Sequence, residues 1–167
     1  MKFHTLRDLY LYEMRDLFSS ANQIVEVLPK LIDATVSDDL RAVFTTHLDE
    51  AQGQIARVHA VFECLGESSE GGFSQGTHGA IQEALKWAEE NADSAVLDAG
   101  LIAALQRLLH YEIAVFGCAR THAKVLGDSS SQKLLQDCLD EAEATDKRLT
   151  TLAERINKKA DKPPETL

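Results

Sequence analysis

Seven polar residues lie in or beside apolar helical stripes, and they are the groups with which this chain could do chemistry: Glu13, His47, Glu50, Gln54, His110, Glu112 and Asp146. His47 and Glu50 stand three residues apart, one turn along one helix face. Inside a helical bundle, carboxylates and imidazoles in such positions hold a pair of iron or manganese ions. A carboxylate comes from each of two helices and a Glu-x-x-His pair from each of the other two. Four carboxylates offset the charge of the two cations, and imidazoles complete the coordination. At mid-height, however, the stripes offer Ala21, Leu109 and Ala142 where partners for Glu50 and Glu112 are needed. Two readings remain: a buried hydrogen-bonded network, or one weakly held ion on Glu50 and Glu112 with His47 or His110.

The other polar groups offer less. Glu13 is assigned to a hydrogen bond with a Tyr or Arg across the bundle, and His4, His59, His78 and His122 lack ligand spacing and are assigned to the surface. Cys64, Cys118 and Cys138 form no C-x-x-C motif; embedded in helical patterns, they are read as small buried hydrophobes in a reducing compartment. No spacing supports a Ser-His-Asp or Cys-His triad, and GGFSQG at 71–76 is a flexible loop rather than a phosphate cradle.

The elements that must position these residues follow from a 3.6-residue apolar repeat. A first helix over residues 4–34 carries Phe3, Leu6, Tyr10, Glu13, Leu17, Ala21, Ile24, Leu28 and Leu31 on its stripe. Thr5 and Asp8 form a capping box, and Pro29 bends its end. A second helix over 38–65 starts at Ser37 as N-cap and stops at Gly66. The segment 67–79 reads as loop, followed by a short helix over 80–91 that Trp87 anchors to the bundle. Further helices are expected over 94–126 and 131–157, antiparallel about a turn near Asp128, with a charged tail over 158–167. That pairing sets Glu112 and Asp146 at similar heights.

Helices of this length span about 40 Å at about 1.5 Å per residue. The first two are joined by too few residues to be anything but antiparallel neighbours. The connection from 66 to 93 is long enough to cross the bundle from end to end. The result is an all-α, antiparallel four-helix bundle of two hairpins with one long crossover, the ferritin-like arrangement.

A chain of 167 residues suffices for one domain with its own core. Its net charge of −10 argues against a nucleic-acid ligand and against an anionic membrane surface. The first residues, MKFHTLRDLY, show no signal-peptide pattern and no apolar run approaches a membrane span, so a cytoplasmic address is expected.

The segments YLYEMRDLFSS, THLDEAQGQIARV, HYEIAVFGCART and LLQDCLDEAEATDKRLTTLAE resemble the YciE/YciF-type ferritin-like proteins associated with bacterial stress responses. The resemblance covers roughly Leu6 to Leu152. It implies metal-binding glutamates at 21, 50, 109, 112 and 142, of which only Glu50 and Glu112 are present. It further implies a homodimer joined through the outer faces of the first two helices. The resulting expectation is a stress-associated, non-catalytic bundle with a degenerate dimetal site and no cofactor, or iron or manganese if any. Two alternatives stand beside it. One is a dimetal oxidoreductase or iron-handling protein of rubrerythrin type, with Glu141, Glu143 or Asp146 substituting for the missing ligands. The other is a protein-interaction module presenting Phe73 and Trp87 to an unknown partner.

Overall fold

A computed structural model of the chain describes residues 2–90 and 94–161. The first chain reversal shows how local chemistry sets the ends of its helices. The Asp8 carboxylate accepts the Thr5 N–H at 2.9 Å and the Thr5 hydroxyl accepts the Asp8 N–H at 3.1 Å, a complete capping box. Helix α1 (Leu6–Ala34) therefore starts at Leu6 rather than at residue 4, leaving Phe3 outside it. It runs on through Pro29, which stands on the exposed side. Helix α2 (Asp38–Leu65) is capped by Ser37 and closed by Gly66 in the left-handed conformation, φ 65°. The turn between them is tied from outside. Buried Asp98 accepts the backbone N–H groups of Val36 and Ser37 at 2.9 and 2.8 Å.

Helix α3 (Gln75–Glu90) is the crossover helix, and it begins five residues earlier than its sequence implies. Its start is fixed by contacts distant in the chain. The Ser74 hydroxyl donates to Asp16 Oδ2 at 3.1 Å, Tyr111 donates to the same oxygen at 2.6 Å, and Ser20 and Thr77 hydroxyls meet at 2.7 Å. Residue 91, the end of the expected crossover helix, lies outside the described residues. Helices α4 (Ala95–Val125) and α5 (Ser129–Ala160) follow, capped by Ser94 and Asp128. Helix α5 starts earlier and continues further than the 131–157 expected, so only 162–167 of the charged tail lies beyond the described residues.

Helix α1 packs on α2 and α4 on α5. The two hairpins meet through α1 against α4 and α2 against α5, with α3 laid over α1 and α4. Helix α4 is thus covered on three sides. Its most apolar stretch averages a hydropathy of 1.3, enough by length and composition to cross a membrane, although no such run was expected. Here that apolarity is what a helix surrounded by α1, α3 and α5 requires. The core divides into two apolar clusters. One gathers Ile24, Leu28, Phe44, Leu101, Leu105 and Leu149; the other gathers Met14, Leu17, Val58, Phe62, Phe116 and Leu135. Along α2 and α4 the division falls at Gln54 and Glu112, so a polar layer lies across the bundle between them.

The crossover leaves no room for side chains at two points. A Cβ on Gly72 would lie 2.5 Å from the Arg15 carbonyl oxygen, and one on Gly76 would lie 2.8 Å from the Tyr111 ring. Gly79, in α3, has open space around its Cβ position. Gly72→Ala should therefore lower stability by about 2 kcal/mol as the loop is forced off α1. Gly79→Ala should raise it by up to about 1 kcal/mol through helix propensity alone. Urea denaturation of the two variants tests the assignment; equal effects of the same sign would contradict it.

Candidate functional site

Helix α2 projects His47, Glu50 and Gln54 toward the bundle interior from three successive positions one turn apart. His47 and Gln54 are fully buried; Glu50, whose side chain is 19% exposed, reaches the edge. Opposite them α4 supplies buried Glu112, and α5 supplies buried Thr145 with Arg148 one turn further on. Glu50 is fully engaged: its carboxylate accepts the Thr145 hydroxyl at 2.7 Å and Arg148 at 2.5 Å, and Arg148 also reaches the Thr145 hydroxyl. His47 Nδ1 lies 3.7 Å from Glu50 Oε2, too long for a hydrogen bond. Burial pushes the Glu50 carboxyl upward, but the hydrogen bonds from Thr145 and Arg148 and the Arg148 charge outweigh it and hold the group well below the usual carboxylate range.

Glu112 shows the opposite outcome. Burial pushes its carboxyl up to about 7; the nearby His47 ring draws it down and the Glu50 charge adds to the rise. Among the described residues neither oxygen of Glu112, neither ring nitrogen of His47 and not Oε1 of Gln54 has a hydrogen-bonding partner. Gln54 Nε2 points to Glu141 Oε2 at the limiting distance of 3.5 Å, and Glu141 is itself paired with Arg57. Ala21, Leu109 and Ala142 are all buried in the same interior.

To a pair of metal ions this layer presents two carboxylates, Glu50 and Glu112, and one imidazole, His47. Two divalent cations need several anionic ligands around them. Here Glu112 stands buried among apolar side chains, and Glu50 is already bound to Arg148 and Thr145. Among the described residues no group of three or more His, Cys, Asp or Glu side chains is spaced to hold a metal ion.

Several expected positions need correction. His110 is exposed, with Nε2 3.3 Å from Asp146 Oδ1, so it does not join His47 and Glu112. Asp146 accepts from Gln106 at 3.0 Å and is only half-buried. The interior position on α5 belongs to Thr145, because the face turned to the core runs through 142, 145 and 149. Glu141, Glu143 and Asp146, the possible substitute ligands, face Arg57, Lys147 and His110 respectively. His122 is not on the surface: it is half-buried, and its Nδ1 lies 2.9 Å from Glu13 Oε2. Glu13 therefore pairs with a histidine rather than a Tyr or Arg, and burial outweighs His122 in raising its carboxyl. Of the cysteines only Cys138 is buried; Cys64 and Cys118 are exposed, and all three are free thiols. Phe73 stands with Phe3 and Tyr12 around a recess of about 460 Å³, while Trp87 packs on Gly100 beneath the Arg107 guanidinium. The two aromatics do not share a patch.

Thr145 and Arg148 escaped sequence reasoning. They lie 95 and 98 residues from Glu50, and the only local signal is their own one-turn spacing.

With this geometry in hand, the comparisons with known proteins agree with one another. Residues 5–161 match the family described as a domain of unknown function, DUF892. Protein YciF of Escherichia coli strain K12 is 38% identical over 96% of this chain and 98% of its own length. The crystal structure of the E. coli stress protein YciF superposes with a TM-score of 0.90 at 36% identity, covering 94% of this chain and 99% of that one. The structure of YcfI from Rhodopseudomonas palustris gives 0.85 at 38% identity, covering 89% and 94%.

Glu112 supplies a pH test. Its folded-state value of about 7 against an ordinary 4.5 means that the folded chain keeps a proton the unfolded chain releases. The stability this contributes is complete below pH 4.5 and is lost as pH rises through 7, a change of about 3 kcal/mol. Glu112→Gln should remove that dependence. Urea unfolding at pH 5 and pH 8 should show the variant gaining on the parent at the higher pH; parallel curves would refute the neutral-acid assignment.

Proposed function

This chain belongs to the YciF-type family described as DUF892, and from that membership we propose that it is a stress-associated helical-bundle protein without a dinuclear metal centre and without catalytic turnover. The stress role rests on the E. coli relative, whose structure is described as that of a stress protein. The absence of a dimetal centre rests on the polar layer. Three of the positions that would complete a ligand set are Ala21, Leu109 and Ala142, and the two remaining carboxylates are one neutralised acid and one partner of Arg148. A cytoplasmic location, with neither nucleic acid nor membrane as partner, fits the charge of −10.

Metal analysis after growth in iron- or manganese-supplemented medium should return well under one equivalent per chain. Two tightly bound ions per chain would overturn the proposal, as would peroxide turnover abolished by Glu50→Ala with Glu112→Ala.

We also propose a homodimer, joined through a patch formed by the start of α1, the residues that precede it and the loop before α3. Phe3, Tyr12 and Phe73 are 41%, 46% and 53% exposed around one recess, and the Phe3 and Tyr12 rings are 5.4 Å apart. Clustered exposed aromatics of this kind mark contact surfaces more often than scattered ones do. Sedimentation velocity should give a dimer for the parent chain and a monomer for Tyr12→Glu with Phe73→Ser. A parent monomer, or a variant that stays dimeric, would remove the assignment.

A further inference from the structure

A second concavity, separate from the aromatic recess, touches the polar layer through Arg148. It is an open groove of about 620 Å³ between the first turns of α2 and the last turns of α5, within the size range of small-molecule sites. Its walls carry Arg148, Arg155, Lys158 and Lys159, set against two carboxylates, Asp39 and Glu154. Val43 and Leu152 supply an apolar floor. A concentration of cations is unexpected on a chain of net charge −10.

The cations are not used up by the fold. Arg148 spends one terminal nitrogen on Glu50 and Thr145, and Arg155 spends one on Asp39 at 2.6 Å. Neither guanidinium has a further partner among the described residues, and neither Lys158 nor Lys159 forms an ion pair there. Each guanidinium thus keeps donors free for the planar, two-point contact that carboxylates and phosphates accept. A smaller recess of about 140 Å³ shares Asp39, Arg155 and Lys159 and extends the groove across the end of the bundle.

We infer that this groove binds a small amphiphilic anion, with a phosphate or carboxylate head on Arg148, Arg155 and Lys159 and an apolar body over Val43 and Leu152. The ligand is a free molecule rather than a membrane lipid, because the site is a recess between α2 and α5 whose apolar lining is confined to Val43 and Leu152. The head alone gains little in solvent-exposed surroundings, where ion pairs are weak. The apolar floor is what makes the site selective for an anion carrying a hydrocarbon body.

Decyl phosphate, kept below its micelle concentration, is the probe, with inorganic phosphate and decanol as controls. The full chain should bind decyl phosphate saturably and at least tenfold more tightly than either control. Amide resonances of Val43, Thr151 and Leu152 should move on titration. Arg155→Ala with Lys159→Ala, both on exposed side chains, should weaken binding at least tenfold while leaving the unfolding transition in place. The inference fails if no saturable binding occurs, if decanol or inorganic phosphate binds equally well, or if the double variant binds like the parent. It fails also if the chain cosediments with phosphatidylglycerol vesicles as readily as it binds the monomer.

Discussion

Burial of α4 on three sides governs what every polar group near it can do. Helices α1, α3 and α5 remove its faces from water, so any charge at its middle must be compensated by the protein alone. Glu112 sits at that middle with no partner for either oxygen among the described residues, and burial raises its carboxyl toward the protonated form. Ala21, Leu109 and Ala142 deepen the effect by filling the neighbouring space with hydrocarbon.

Glu50 escapes this constraint by lying at the rim. Partial exposure lets Arg148 reach it from outside the bundle while Thr145 approaches from within. The three groups bind α2 to α5 at the level of the polar layer. Hydrogen bonds to a charged group contribute about 1.5–3 kcal/mol each. The apolar clusters on either side hold far more side chains, and they carry most of the stability. The polar layer sets the height of each helix against its neighbours more than it strengthens their contact.

The crossover completes the enclosure. Without α3 the outer side of α4 would face water, and its apolar composition would be a liability. The loop before α3 runs so close to α1 that Gly72 has no space for a side chain, and Gly76 lets the helix settle on the Tyr111 ring. Ser74 then links Asp16 on α1 to Tyr111 on α4. At the far end, Asp98 of α4 holds the reversal between α1 and α2. Both attachments hold α4 in its buried position, and the groove between α2 and α5 lies beside the second of them.

The amino-acid sequence alone determined the helices, their order and the crossover. Apolar periodicity, capping residues such as Thr5 and Ser37, and connection lengths are local properties that tertiary contacts seldom reverse. It also located His47, Glu50 and Glu112 as interior polar residues, along with the three positions lacking carboxylates. Tertiary structure decided the rest. The start of α3 at Gln75 depends on Asp16 and Tyr111, and the pairing of Glu13 with His122 joins positions more than a hundred residues apart. A stripe written at one residue in 3.6 fixes a side chain's direction only to within about one neighbour. That margin is why Thr145 rather than Asp146 enters the core, and why His110 lies outside it. The charge states of Glu50 and Glu112 were beyond reach for the same reason: each follows from how much water and which partners lie within a few ångströms, and only the packed helices fix those distances.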